Sequence, residues 1–170
     1  SAAETDALAR SIPSSGGVYL VPAFTGLGAP HWAPDARGLI AGLTRGAGRA
    51  EIARAALECV AYQTADLIEA MAADGAPCRT LKVDGGMVAN DWLMQFLADT
   101  QNAAVDRPQI METTALGAAF LAGVKAGVFG SIADIARLRK TQRLFTPAMA
   151  AEEREGLRAG WRKALERTLL

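Results

Sequence analysis

Two adjacent glycines at the junction of a predicted strand and a predicted helix mark the first candidate site. Residues 81–83 favour a strand, and Asp84, Gly85 and Gly86 follow it directly. Glycines at such a junction let the backbone approach a ligand, and the next helix offers unpaired amides to a phosphate or ribose oxygen. The side-chain amide of Asn90 lies a short step further along the chain, where it could meet a base or a sugar.

A purely local role would produce the same spacing. The two glycines can form a tight turn, and Asn90 can cap the helix that begins beside it. The loop matches neither the Walker phosphate loop nor the dinucleotide-binding fingerprint. Spacing alone therefore leaves the turn and the ligand site open as alternatives.

Other side chains that could take part in chemistry are expected to have structural roles. His31 is the only histidine, and it lies among prolines and aromatics, so we expect it to pack rather than to catalyse. Arg37 and Arg45 can orient loops, pair with a carboxylate or meet another domain, and structural roles are expected for both. Cys59 and Cys78 have neither the density of a disulfide framework nor the spacing of a zinc site, which suits a reducing cytoplasm. No metal site is predicted.

Composition excludes several classes of function. The 18 basic and 18 acidic residues cancel, so no net charge attracts nucleic acid or an anionic membrane. No apolar run reaches the roughly 18 residues of a membrane-spanning helix.

A chain of 170 residues is the size of one ordinary domain. Because the chain begins without methionine or a basic leader, we expect it to be a piece of a longer protein. Residues 1–17 are expected to be the tail of an upstream helix and a linker, and residues 18–170 the domain.

Strands alternate with helices along the chain. Short apolar runs predict strands at 18–21, 39–43, 81–83 and 103–105, and helices are predicted over 49–73, from Asn90 or Asp91, from Thr113 or Thr114, and over 150–170. Small residues in the helix after Thr114 favour close packing against a neighbour. This order predicts an α/β domain in which ligands lie beyond the carboxyl ends of the strands.

Two helices carry an apolar stripe. Spacings of three and four place six residues of helix 49–73 on one face: Ile52, Ala56, Cys59, Val60, Leu67 and Met71. The last helix has a stripe at four-residue spacing, made of Leu157, Trp161, Leu165 and Leu169. We expect this last helix to close the domain.

The ordered set of motifs resembles the glycerol kinases, members of the FGGY family of carbohydrate kinases. The resemblance covers residue 17 to the last helix, and its most specific part is the stretch Phe24-Thr25-Gly26-Leu27-Gly28-Ala29-Pro30, where the sugar kinases of the family differ. The other matching segments are Gly42-Leu43-Thr44-Arg45-Gly46, Ala61-Tyr62-Gln63-Thr64, Val83-Asp84-Gly85-Gly86, Ala89-Asn90, Leu93-Met94-Gln95-Phe96 and Thr114-Ala115-Leu116-Gly117-Ala118-Ala119.

This resemblance implies the C-terminal domain of a two-domain kinase with an actin-like, ribonuclease H-like fold, without its first strands. It implies that Gly86 contacts the nucleotide through its backbone, that Gly85 permits the approach, and that Asn90 contacts the adenosine. ATP and Mg²⁺ are the implied cofactors, and the full-length enzyme is expected to form a homo-oligomer. The catalytic base and the glycerol-binding residues lie upstream in that family, so no catalytic residue is assigned here and the isolated chain is expected to be inactive.

Two alternatives stay open. The full-length protein could phosphorylate another polyol or sugar, since relatives that act on pentuloses and gluconate share the glycine loop. The piece could instead be a binding or assembly module without useful nucleotide affinity.

Overall fold

A computed structural model of the chain describes residues 2–170, so Ser1 of the predicted 1–17 segment lies outside the described residues. The strands are β1 (Tyr19–Val21), β2 (Leu39–Ala41), β3 (Thr80–Lys82), β4 (Ala104–Pro108) and β5 (Thr141–Phe145). The helices are α1 (Ala2–Arg10), α2 (Arg49–Ala73), α3 (Asp91–Gln101), α4 (Thr113–Lys125), α5 (Ile132–Ala136) and α6 (Ala151–Thr168), with a 3₁₀ helix at Gly86–Ala89. None of the helices within 2–170 has the length and apolarity needed to cross a bilayer.

The strands form two small sheets. β1 and β2 pair in antiparallel fashion, with Leu20 opposite Ile40. β3 and β4 are parallel and are joined through α3, as the alternation of strands and helices predicted. β5, which was not predicted, adds an antiparallel edge strand with Phe145 opposite Val105. The parallel pair brings the carboxyl ends of β3 and β4 to the same edge of the sheet.

An aromatic stack lies at the centre of the core. The ring of Tyr62 on α2 stacks on Trp161 of α6 at 5.4 Å between centroids, and it meets Phe96 of α3 edge-on at 5.7 Å. All three side chains are buried. Trp161 and Leu165 confirm the predicted apolar stripe of α6, which ends before Leu169, a residue that is 46% exposed. The aromatic side chains therefore hold α2, α3 and α6 together.

The bounds of α2 match the prediction, whereas its predicted core face is partly wrong. Ile52, Leu67 and Met71 are 36%, 42% and 43% exposed. The helix instead buries a face rich in small residues, which comprises Ala55, Leu57, Glu58, Cys59, Ala61, Tyr62 and Ala65. Alanines contribute little to an apolar stripe, yet they let neighbouring elements approach closely.

A buried ion pair connects α2 to the segment that follows α1. The carboxylate of Glu58 is 2.8 Å from Nε of Arg54 and accepts hydrogen bonds from Ser15 Oγ and Tyr62 Oη. Arg54 also donates to the carbonyl of Ile12. Burial raises the pKa of the Glu58 carboxyl, and the Arg54 guanidinium opposes that rise. Because these groups satisfy one another, the polar cluster fixes the turn between α1 and β1.

The prediction that a threonine caps α4 is wrong. Glu112 occupies the cap position without a side-chain cap hydrogen bond, and the hydroxyl of Thr113 instead donates to the carboxylate of Asp84. The predicted close packing of the small residues is also absent from most of the helix, since α4 has no buried residue. Gly123 is an exception, because a Cβ there would lie 2.7 Å from the ring of Phe129.

Candidate functional site

The glycine loop lies at the carboxyl end of β3, beside the carboxyl end of β4. Gly85 has φ +85° and ψ 174°, a combination that is essentially restricted to glycine. Its amide donates to the carbonyl of Met111 at 2.8 Å, and its own carbonyl accepts from the amide of Val88 at 3.2 Å. The first bond ties the loop to the segment after β4, and the second closes the 3₁₀ helix. Gly85 is therefore required by the backbone conformation.

Gly86 differs from Gly85, because the structure does not require glycine there. Its φ lies outside the left-handed region, and a Cβ placed on it would meet no atom within 4 Å. Neither conformation nor packing within residues 2–170 demands a glycine here. Gly86 and the neighbouring Met87 are exposed, so open space lies in front of the backbone. A ligand can approach the main chain at this point more closely than any side chain would allow.

Asn90 caps α3, which is one of the two roles predicted for it. Its Oδ1 accepts a hydrogen bond of 3.0 Å from the amide of Leu93, which caps α3. The Nδ2 group of this half-buried residue has no hydrogen-bond partner within residues 2–170. One side of the amide thus holds the helix, and the other remains available to an acceptor on a ligand.

A charged cluster that sequence reasoning missed lies behind the loop. The carboxylate of Asp91 is 2.7 Å from Nη1 of Arg107 and 2.5 Å from Nη1 of Arg143. The hydrogen bond from Arg107 is the main cause of the lowered pKa of the Asp91 carboxyl. Asp91 entered the sequence analysis only as a possible helix start. An arginine just before Pro108, at a strand end beside a glycine loop, was the available signal.

Two further sequence candidates, His31 and Arg37, make structural contacts. Nε2 of His31 is 3.1 Å from the carboxylate of Asp66, which also accepts a 2.8 Å hydrogen bond from Nε1 of Trp161. Arg37 donates to the carbonyls of Pro34 and Ala36 within its own loop. These bonds fix the long loop after β1.

The loop is an open surface rather than an enclosed pocket. A groove of about 490 Å³ lies between β4, α4 and α5, but Gly85, Gly86 and Asn90 do not line it. Within residues 2–170 no three His, Cys, Asp or Glu side chains are grouped closely enough to hold a metal ion. The arrangement offers a backbone cradle and one amide, which suits a neutral base or sugar better than a concentrated charge.

Comparison with known sequences decides the family. Residues 1–126 match the FGGY family of carbohydrate kinases, C-terminal domain. The chain belongs to this family. Its fold is accordingly that of the actin-like ATPases, and the prediction of an FGGY C-terminal domain is confirmed.

Individual relatives point in the same direction. A glycerol kinase from Rhodospirillum centenum is 60% identical over 98% of the chain, which spans 34% of that protein. The crystal structure of Plasmodium falciparum glycerol kinase with ADP aligns with 99% of the chain and 34% of its own length, at a TM-score of 0.84 and 36% identity. A xylulose kinase structure from Rhodospirillum rubrum covers 98% of the chain and 34% of its own length, at a TM-score of 0.78 and 29% identity. The chain thus spans about a third of each of these relatives.

Proposed function

We propose that this chain forms the adenosine side of the nucleotide site in a kinase that transfers a phosphoryl group from ATP to glycerol, giving glycerol 3-phosphate. The observation that carries the proposal is the open space in front of Gly86, at the shared carboxyl edge of β3 and β4. Gly156 on α6 has similar open space, whereas Gly86 combines it with the edge of the sheet at which α/β domains bind ligands. A ligand in place of a side chain is the best explanation for glycine at this position. The family match supplies the class of that ligand.

Each predicted site residue then has a separate task. Gly85 shapes the loop, Gly86 exposes its backbone to the nucleotide, and the free Nδ2 of Asn90 donates to the adenosine part. Mg²⁺, when bound with ATP, neutralises charge on the phosphates. We assign no catalytic residue to residues 2–170, and we propose that the base and the glycerol site belong to the rest of the full-length protein. The isolated chain is accordingly proposed to be inactive.

Assembly and location follow the same proposal. We place the boundary between the N-terminal segment and the domain at 17/18, and we propose that the full-length enzyme is a cytoplasmic homo-oligomer. Sedimentation of that enzyme, and limited proteolysis near Gly17, would test the assembly and the boundary.

The alternative substrate is another polyol or a sugar, because a xylulose kinase shares the fold. Glycerol is favoured by the 60% identity to a glycerol kinase over 98% of the chain. Among the solved structures, a glycerol kinase is 36% identical and that xylulose kinase 29%. We expect the full-length protein to prefer glycerol to xylulose, gluconate and other polyols in a panel of kcat/KM values measured with ATP. Equal or higher values for a sugar would refute the glycerol assignment while leaving the kinase assignment intact.

Asn90→Asp separates the capping role of this side chain from its ligand role. Aspartate caps helices as well as asparagine does, so α3 should keep its stability. The substitution removes the Nδ2 donor and adds a negative charge, and we expect the dissociation constant for ADP to rise about tenfold. Calorimetry with ADP and a thermal melt of the full-length protein would measure the two effects.

Asn90→Ala is the matched comparison. It removes both roles, so it should weaken ADP binding and also lower the stability of the helix by about 1 kcal/mol. If Asn90→Asp bound ADP as tightly as the wild type, Asn90 would be a helix cap and nothing more.

A further inference from the structure

Arg107 is a buried cation that the nucleotide site does not use directly. It lies on β4, and its side chain is 8% exposed. Long charged side chains are seldom buried without a specific set of partners. The partners of this guanidinium therefore indicate what it does.

The guanidinium binds both sides of the corner at which Asn90 lies. Nη1 donates to the carbonyl of Val88 at 2.8 Å and to the carboxylate of Asp91 at 2.7 Å. Val88 is part of the 3₁₀ helix that begins at Gly86, and Asp91 is the first residue of α3. One nitrogen thus joins the end of the glycine loop to the start of the helix that Asn90 caps.

The guanidinium is itself held from the other side by β5. Its Nε donates to Oε1 of Gln142 at 2.8 Å, and its Cζ atom lies 5.1 Å from the centroid of the Phe145 ring. Arg143, also on β5, pairs with the second oxygen of Asp91. The sheet therefore holds the Arg107 side chain in the position from which it contacts the loop. A lysine could not reproduce this set, because its single ammonium lacks the planar fork of donors.

We infer that Arg107, together with Asp91, is a positioning residue for nucleotide binding, which sets the loop from Gly86 to Asn90 in its ligand-binding geometry. This inference rests on the proposed function, because it concerns the same site. Arg107 touches no ligand in this scheme. It acts by fixing the backbone at Val88 and the start of α3. These two contacts set the distance between the exposed backbone of Gly86 and the amide of Asn90.

The neighbouring residue in the same strand offers a matched control. Asp106 points to the opposite face of β4 and pairs with Arg139 at 2.6 Å. Arg139 also donates to the carbonyl of Asp106, and within the described residues 2–170 no hydrogen bond or ion pair joins it to residues 85–91. Arg139 lies between α5 and β5, so Arg139→Lys makes the same chemical change in an arginine–aspartate pair whose aspartate is on β4.

The test is ADP binding to the full-length protein, measured by calorimetry alongside thermal melts and steady-state kinetics. For Arg107→Lys we expect the dissociation constant for ADP and the KM for ATP to rise about tenfold, with kcat at saturating ATP and the KM for glycerol within about twofold of wild type. Arg139→Lys should lower the melting temperature to a similar extent and change the ADP dissociation constant by less than about twofold.

Other outcomes would overturn the inference. If both arginine variants weakened ADP binding equally, or if Arg107→Lys lost stability without losing ADP affinity, Arg107 would have a general structural role. Should Arg107→Lys fail to fold, Asp91→Asn serves instead, because that carboxylate is 44% exposed and its loss should be tolerated. It should weaken ADP binding about threefold, and an unchanged affinity would refute the inference.

The proposed function fails in a different way. A wild-type protein that binds no ADP would overturn the nucleotide site and the positioning role together. A wild-type protein that binds ADP but does not phosphorylate glycerol would overturn only the substrate, and the comparison of Arg107→Lys with Arg139→Lys would still decide the positioning role.

Discussion

Gly86→Val is expected to weaken ADP binding by the full-length protein at least about 100-fold, with little change in its melting temperature. A valine Cβ at this position would meet no protein atom within 4 Å, so the fold has room for the side chain. The branched side chain would instead occupy the space in which the backbone is proposed to contact the nucleotide. Titration calorimetry with ADP, beside a thermal melt, would measure the two effects separately.

Gly156→Val is the matched control for this substitution. Gly156 lies on α6, and a Cβ there would also meet nothing within 4 Å. The control should bind ADP as the wild type does, and it should cost no more than a small change in helix propensity. Wild-type ADP affinity in Gly86→Val would show that the open space in front of Gly86 is not the nucleotide site.

The two glycines illustrate what could be predicted from the sequence and what required the structure. A glycine pair between a strand and a helix predicts a turn or a ligand, and the sequence could not say which glycine serves which purpose. The structure separates them, because Gly85 has a backbone conformation that only glycine adopts easily, whereas Gly86 does not. The earlier alternatives of a turn and a site are therefore compatible. The same holds for Asn90, which caps α3 with one atom and has another free.

Most of the framework around the loop was predictable. The alternation of strands with helices gave the parallel pair β3 and β4, and the bounds of α2 emerged from its long helical pattern. β5 was missed because only Phe145 of its five residues is buried, so the strand lacks the alternation of buried and exposed residues that would reveal it. The core face of α2 was misjudged because alanines, rather than large apolar residues, make the close contacts.

The charged cluster of Asp91, Arg107 and Arg143 could not be found from local patterns. Arg107 and Val88 are 19 residues apart, and their contact depends on the parallel pairing of β3 with β4 and on the antiparallel addition of β5. Charges that pair across such distances leave no periodic signal in a single sequence. The residues that we propose to face the ligand were recognisable because glycine and asparagine have local roles as well, whereas the residues that contact them from β4 and β5 depend on the tertiary fold.

Trp161→Ala is expected to destabilise the domain by about 3–5 kcal/mol, the largest loss of stability that we predict. Trp161 is 2% exposed, stacks on Tyr62 and donates from Nε1 to the carboxylate of Asp66. Truncation would leave a cavity beside Tyr62. It would also remove a hydrogen-bond donor from Asp66, whose remaining partner within residues 2–170 would be His31. Urea unfolding of the full-length protein, followed by circular dichroism, would measure the loss.

Trp161→Phe distinguishes packing from hydrogen bonding at this position. Phenylalanine keeps a ring against Tyr62 but lacks the Nε1 donor, so it should cost about 1–3 kcal/mol, less than alanine. While the protein remains folded, neither variant should change the ADP dissociation constant more than about twofold, because Trp161 lies outside the loop and outside the charged cluster behind it. Equal losses for alanine and phenylalanine would mean that the hydrogen bond to Asp66, rather than the aromatic stack, holds α6 against α2. A large loss of ADP affinity in a folded Trp161 variant would mean that the closing helix, too, sets the geometry of the nucleotide loop.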